Sequence, residues 1–279
     1  MISLCVPPFP RKTLVMGIVN VTPDSFFDGG RLPDVDAVRD RGAQLVREGA
    51  DILDVGGEST RPGADPVSKG EELCRVLPAV EALVPLQVPV SVDTYHAETA
   101  RRALSLGAAM INDVTALRGD PEMAAVIAAS GCPCVLMHMQ GEPRTMQQAP
   151  RYDDVVDDIR AFFDERMAFA TAAGIQESQI WLDPGFGFGK TVDQNLLLLR
   201  RIGEFHCLGR PLLLGVSNKS TLGTVLGAEV TDRTEGTAAA VALAAAAGVH
   251  CVRVHNVKTM ARVVRVCDAV TRGRTDKDG

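Results

Sequence analysis

The groups best able to do chemistry stand just after short apolar runs. Arg253-Val-His255 closes one run, and residues two apart on a strand share a face, so this guanidinium and imidazole would point the same way. Ser217-Asn-Lys-Ser220 adds Lys219 and two hydroxyls after another. Gly56-Gly-Glu-Ser-Thr-Arg-Pro-Gly63 adds Arg61 on a backbone that glycine lets approach a ligand closely. Arg61, Arg253 and His255 would form a cationic cluster fit for a diphosphate, with Arg61 as a fork for phosphate oxygens. Asp93, Asn112 and Asp183 end three further runs. A carboxylate accepts two N–H bonds and Asn both donates and accepts, so the three converging would cradle a flat heterocycle with an amidine-like edge. Asn20 is placed to ligate a hard cation or an anion's oxygen.

Plainer roles compete for several of these residues. Asp93 could cap a helix beginning near His96, and Asp24 and Asp28 could order the loop after Asn20 through Asx turns. Phe26 and Phe27 in that loop read as part of a mobile lid. His138 and His206 read as satisfied core histidines. Asp183-Pro-Gly-Phe-Gly-Phe-Gly-Lys190 is neither a Walker A loop nor a well-placed dinucleotide turn. Its glycines are expected to aim Asp183 and Phe188 into the site, and Lys190 is expected to be solvated.

Such groups converge only if the scaffold gathers many strand ends. Apolar, β-branched runs occur at 14–19, 51–55, 89–92, 109–111, 133–137, 179–182, 211–216 and 249–254, separated by stretches with helical spacing of apolar residues. Continuous apolar strands alternating with helices predict a parallel sheet buried on both faces. Eight of them without a compositional break predict a single-domain α/β protein, a (β/α)8 TIM barrel, whose chemistry lies at the carboxyl ends of the strands. An open doubly wound sheet fits less well, because no GxGxxG turn follows the first run. The whole of 1–279 reads as one barrel domain, with 1–12 as an N-terminal extension and 272–279 as a disordered tail.

The 279 residues carry a net charge of −6 and no long Lys/Arg run, which disfavours a nucleic-acid partner. No apolar run reaches the length of a membrane span, and the proline-broken N-terminus is unlike a secretory signal. Seven scattered cysteines read as free thiols, as in a reducing cytoplasm.

Taken together, MGIVNVTPDSFFDGG, ADILDVGGESTRPGA, SVDT, IND, LMHMQGEPRTMQ, LDPGFGFGK, GVSNKS and RVHNVK resemble, in this order, the motifs of the dihydropteroate synthase family over nearly the whole chain. The resemblance implies a transferase of folate biosynthesis that joins 6-hydroxymethyl-7,8-dihydropterin pyrophosphate to p-aminobenzoate, with Mg2+, in a homodimer built from C-terminal helices. It implies that Asp93, Asn112, Asp183 and Lys219 bind the pterin, with Met139 packing on the ring. Asn20, Arg61, Arg253 and His255 match the pyrophosphate and Mg2+ cluster. Thr60, Pro62, Phe188 and Ser220 match positions around p-aminobenzoate, in the pocket that sulfonamides occupy. Asp93, Asp183, Lys219, Arg253 and His255 would carry the catalysis. Two positions depart from the family pattern: Asn218 stands where Arg is usual and Asn256 where Asp is usual. The alternatives are a non-catalytic pterin-binding paralogue, hinted at by Asn218, and the pterin-binding domain of a corrinoid methyltransferase, which has no need of Ser-x-Lys-Ser.

Overall fold

Period-two alternation along every strand divides the interior of this protein into two cores. The computed structural model describes residues 12–22, 34–58, 67–141 and 145–273. Its strands are β1 (Leu14–Asn20), β2 (Ile52–Gly56), β3 (Val90–Asp93), β4 (Met110–Asp113), β5 (Cys134–Met137), β6 (Ile180–Asp183), β7 (Leu213–Leu214) and β8 (Cys251–Val254). All pair in parallel, in the order β6-β5-β4-β3-β2-β1-β8-β7. A parallel bridge between Leu182 and Leu212 closes the ring, so the sheet is the expected single-domain (β/α)8 barrel.

One phase of each strand faces the barrel axis. Met16, Ile52, Met110, Val135, Trp181, Leu213 and Cys251 meet there as a sealed cluster. The other phase, including Val55, Val92, Ile111, Leu136, Leu182, Leu214 and Val254, packs into a larger cluster under the helices. Two residues beyond the sealed layer, on its own face, stand Asp54, Asn112, Asp183 and Arg253. The axial cluster is therefore a dry floor beneath a charged layer.

The helices between strands are α1 (Val35–Glu48), α2 (Lys69–Leu83), α3 (Ala97–Ser105), α4 (Met123–Ser130), α5 (Val155–Ala172), α6 (Val192–Arg200), α7 (Ser220–Leu226), α8 (Thr234–Ala246) and α9 (Val257–Arg272). Side-chain caps fix several starts close behind the strand ends. Thr191 and Gln194 form a reciprocal capping box on α6, and Asn256 caps α9 by accepting from Thr259 N–H at 3.1 Å. Two boundaries differ from the sequence reading. The seventh strand shrinks from 211–216 to two residues, because it meets β6 only through one bridge. Helix α9 takes in Arg272, where the tail was expected to begin, since its guanidinium pairs with Asp268 and reaches Thr13 Oγ1.

Candidate active site at the carboxyl end of the barrel

Strand register builds the first part of the site. Asn20 pairs with Gly56, Gly56 with Asp93 and Asp93 with Asn112, so four strand ends align in one row. Asp93 and Asn20 flank Gly56 in that row: a Cβ there would lie 3.8 Å from Asp93 Oδ2 and 3.9 Å from Asn20 Oδ1, ordinary van der Waals contacts. Arg253 reaches this row from β8. Its Nε donates to Asp54 Oδ2 at 2.6 Å and its Nη2 to Asp93 Oδ2 at 2.7 Å. Asn112 Nδ2 donates to the same Asp54 oxygen at 3.3 Å. Asp93 thus pairs with a cation instead of capping a helix. The backbone at the start of α3 is served by Thr94 Oγ1 and Asp120.

Burial sets the proton affinities here. It pushes Asp93 up to about 7, opposed by Arg253 and reinforced by Asp54. It pushes Asp183 up to about 6, opposed by the Gly185 N–H, which donates to Oδ1 at 2.8 Å, and by Lys219 and Arg253. For Arg253 burial works against the charge, but Asp54 and Asp93 outweigh it and hold the guanidinium above its ordinary value. The carboxylates are therefore poised to ionise near neutrality, while Arg253 stays charged.

The second part of the site is the loop after β6. Gly185 lies in the left-handed region, and a Cβ there would sit 1.9 Å from the His138 carbonyl, so only glycine fits. Lys190 folds back beneath this loop. Its Nζ donates to the carbonyls of Gly185 at 2.9 Å and Phe188 at 3.0 Å, and lies 3.0 Å from His138 Nδ1. At 2 % exposed Lys190 is not solvated, which overturns the sequence reading. Three acceptors match the three N–H bonds of an ammonium, while burial pushes its pKa down to about 7. His138 must present an unprotonated Nδ1, in keeping with a pKa held far below the usual imidazole value by burial and by Lys190.

Phe188, so fixed, joins Val114, Met137, Met139 and Met146 in a separate apolar cluster, with Tyr95 packed against it. Lys219 Nζ lies 4.0 Å from the centre of the Phe188 ring, a cation–π contact. Lys219 precedes α7, and Ser220 is the exposed first residue of that helix. His255 is held at 2.9 Å from Ser217 Oγ through Nδ1. A polar floor, an apolar wall and partly exposed cations at the rim can hold a flat ring that accepts and donates hydrogen bonds, with an anion above it.

Comparison with known proteins settles the family. The profile described as "Pterin binding enzyme" matches residues 16–255. The dihydropteroate synthase of Escherichia coli is 46% identical over 265 residues, covering 94% of this chain and 93% of that protein. The chain belongs to the dihydropteroate synthase family. The Synechocystis dihydropteroate synthase is 44% identical over 95% of this chain and 96% of its own length. Among solved structures, Yersinia pestis dihydropteroate synthase in a sulfonamide complex matches with a TM-score of 0.88 at 43% identity, covering 93% of this chain and 94% of that one. The Xanthomonas albilineans dihydropteroate synthase with 4-aminobenzoic acid matches at 0.86 and 46%, covering 93% of each chain.

Within this family member, Asp93, Asn112 and Arg253 lie together, with Asn20 beside them, and Met139, Phe188 and Lys219 line one side. Thr60, Arg61 and Pro62 lie outside the described residues, as do Asp24, Phe26, Phe27 and Asp28. Two residues were missed by sequence reasoning. Asp54 lies within an apolar run and read as strand alone; its phase with Ile52 and with Arg253 was the available signal. Lys190 gave no signal beyond the glycines that free the carbonyls around it. The departure at Asn218 has a local explanation, because its φ of 56° is left-handed and Asn tolerates that region better than most residues. Asn256 is a helix cap, a task Asn and Asp do almost equally well.

Proposed function

We propose that this chain condenses 6-hydroxymethyl-7,8-dihydropterin pyrophosphate with p-aminobenzoate, giving 7,8-dihydropteroate and pyrophosphate. The observation that carries this reading is the buried cradle of Asp93, Asn112 and Asp183, met by Arg253 and walled by Met139 and Phe188. Asp183 and Asn112 would bind the pterin edge, with Asp93 and Lys219 beside the ring. Pyrophosphate leaves from the exocyclic methylene carbon, and electron donation from the ring stabilises the cation left behind. The arylamine nitrogen then attacks that carbon and loses a proton. Such chemistry needs ring positioning and a neutralised leaving group more than a strong base. Arg253 and His255, joined by Arg61, would neutralise the departing charge. Thr60, Pro62, Phe188 and Ser220 would border p-aminobenzoate.

Mg2+ belongs to the same reading. Among the described residues no cluster of three His, Cys, Asp or Glu side chains could hold a metal ion. Mg2+ needs no such cage, since it is commonly held by one or two protein oxygens and by substrate phosphates. The Asn20 carboxamide oxygen fits that role, and the ion would supply positive charge to the leaving group. We propose a homodimer as well, supported by Leu243 of α8 and Val266 and Val270 of α9, which are 59%, 65% and 80% exposed. Among the described residues no helix is long and apolar enough to cross a membrane. A cytoplasmic setting fits the exposed free thiols of Cys74 and Cys207, which a reducing compartment preserves. The test is incubation with both substrates and Mg2+, following pyrophosphate and dihydropteroate together. Pterin binding without release of pyrophosphate would refute catalysis.

A further inference from the structure

Asp54 stands in the middle of β2, 0 % exposed, one layer above the sealed floor of the barrel. A carboxylate this deep is costly unless it is paired. Its Oδ2 is used twice, by Arg253 Nε at 2.6 Å and by Asn112 Nδ2 at 3.3 Å. Its Oδ1 is buried with no hydrogen-bond partner. A group kept only for the fold would use both oxygens or give way to an apolar residue. What Asp54 does accomplish is geometric. It grips Arg253 by Nε, the stem of the guanidinium fork, which orients the plane of the Nη groups. The same oxygen anchors the amide of Asn112, so one side chain sets two others that reach the site from β4 and β8.

We infer that Asp54 is a positioning residue, which holds Arg253 and Asn112 in the orientation that receives the pyrophosphorylated pterin. This rests on the assignment of Arg253 to the pyrophosphate proposed above. Without Asp54 the guanidinium would keep only its bond to Asp93 and swing about it, and the Asn112 amide would lose its anchor. No part of this role touches p-aminobenzoate.

The test uses the full-length chain with Mg2+. Asp54→Asn keeps the size and an acceptor for Asn112 but removes the charge that grips Arg253. It should raise KM for the pterin pyrophosphate at least tenfold, leave KM for p-aminobenzoate within twofold, and leave the melting temperature within a few degrees. In an Arg253→Ala background the same change should add less than a threefold further loss, because Asp54 acts through Arg253. Unchanged KM for the pterin pyrophosphate, equal losses for both substrates, or fully multiplicative losses in the double variant would overturn the inference. Should Asp54→Asn not fold, Asp54→Ser, with room for water, replaces it. Failure of both to fold would assign Asp54 to the fold and overturn the inference too. If Arg253→Ala alone leaves the pterin pyrophosphate unaffected, the site assignment fails; if only the Asp54 variants are silent, this inference alone fails.

Discussion

Replacing Lys190 with Met tests how the loop between Asp183 and Lys190 is held. Met keeps the length of the side chain and removes three donors, orphaning the Gly185 and Phe188 carbonyls and His138 Nδ1. Each orphaned acceptor costs about 1–3 kcal/mol, and relief from burying an ammonium offsets part of the sum. A net loss of roughly 2–4 kcal/mol at pH 7 is expected, or about 5–10 °C in melting temperature for a chain somewhat longer than 250 residues. The pH dependence gives a second signature. Burial lowers Lys190 from 10.5 to about 7, so between those values the unfolded chain binds more protons than the folded one. Stability from this group is therefore present above pH 10.5 and is lost as pH falls through 7. Thermal melts at pH 7 and 9.5 should show the gap between wild type and variant widening at the higher pH. Turnover should fall by tenfold or more, because Phe188 loses the tether on its carbonyl. A variant that melts like wild type at both pH values would refute the reasoning.

Asp183→Asn should weaken pterin binding at least tenfold, since a charge-assisted bond is worth about 1.5–3 kcal/mol, with the fold intact by circular dichroism. Burial raises this carboxyl from 3.8 to about 6, so binding that needs its ionised form should decline as pH falls through 6, and calorimetry on the Asn variant should lack that step. Arg253→Ala should hurt the pyrophosphorylated pterin far more than a pterin without pyrophosphate; equal losses in calorimetry would make the Arg structural. Asn218→Arg should tighten the pterin substrate by about 0.5–1.5 kcal/mol, less at high salt, and a salt-independent result would separate position 218 from the chemistry. Its φ of 56° suits Asn better than Arg, so a small drop in melting temperature should accompany the gain.

The barrel was legible because each strand is a continuous apolar run with polar groups at its carboxyl end. Asp93, Asn112 and Asp183 stood out as charged or amide residues closing such runs. Asp54 did not, because it sits one residue before the end of its run and is masked by Ile52, Leu53 and Val55 around it. Only the pairing of one strand's inward phase with another's reveals its partner, and that requires the closed ring. Lys190 was misjudged for a different reason. A lysine is usually solvated, and its burial here depends on carbonyls of Gly185 and Phe188 whose direction is set by left-handed glycines. Side-chain types state what a residue can donate; they do not state where the backbone will accept.

Apart from Lys190, whose ammonium is spent on the carbonyls of Gly185 and Phe188 and on His138, depth sorts the charges of this site by sign. Asp54 and Asp183 lie in the buried layer directly above the dry floor, whereas Arg253 keeps 20 % of its side chain exposed and His255 and Lys219 stand half-buried at the rim. A ligand with N–H donors at one end and an anionic leaving group at the other meets matching partners only when it enters ring first. Reversed, it would place an anion against buried carboxylates in a low-dielectric pocket, where like charges repel most strongly. Arg253 spans the two zones, bound below by Asp54 and Asp93 and reachable from above. The orientation of the substrate therefore follows from the strand register, which puts Asp54 and Asp183 one pleat above Ile52 and Trp181, and from the reach of the longer Arg253 side chain out of that layer toward His255 and Lys219 at the rim.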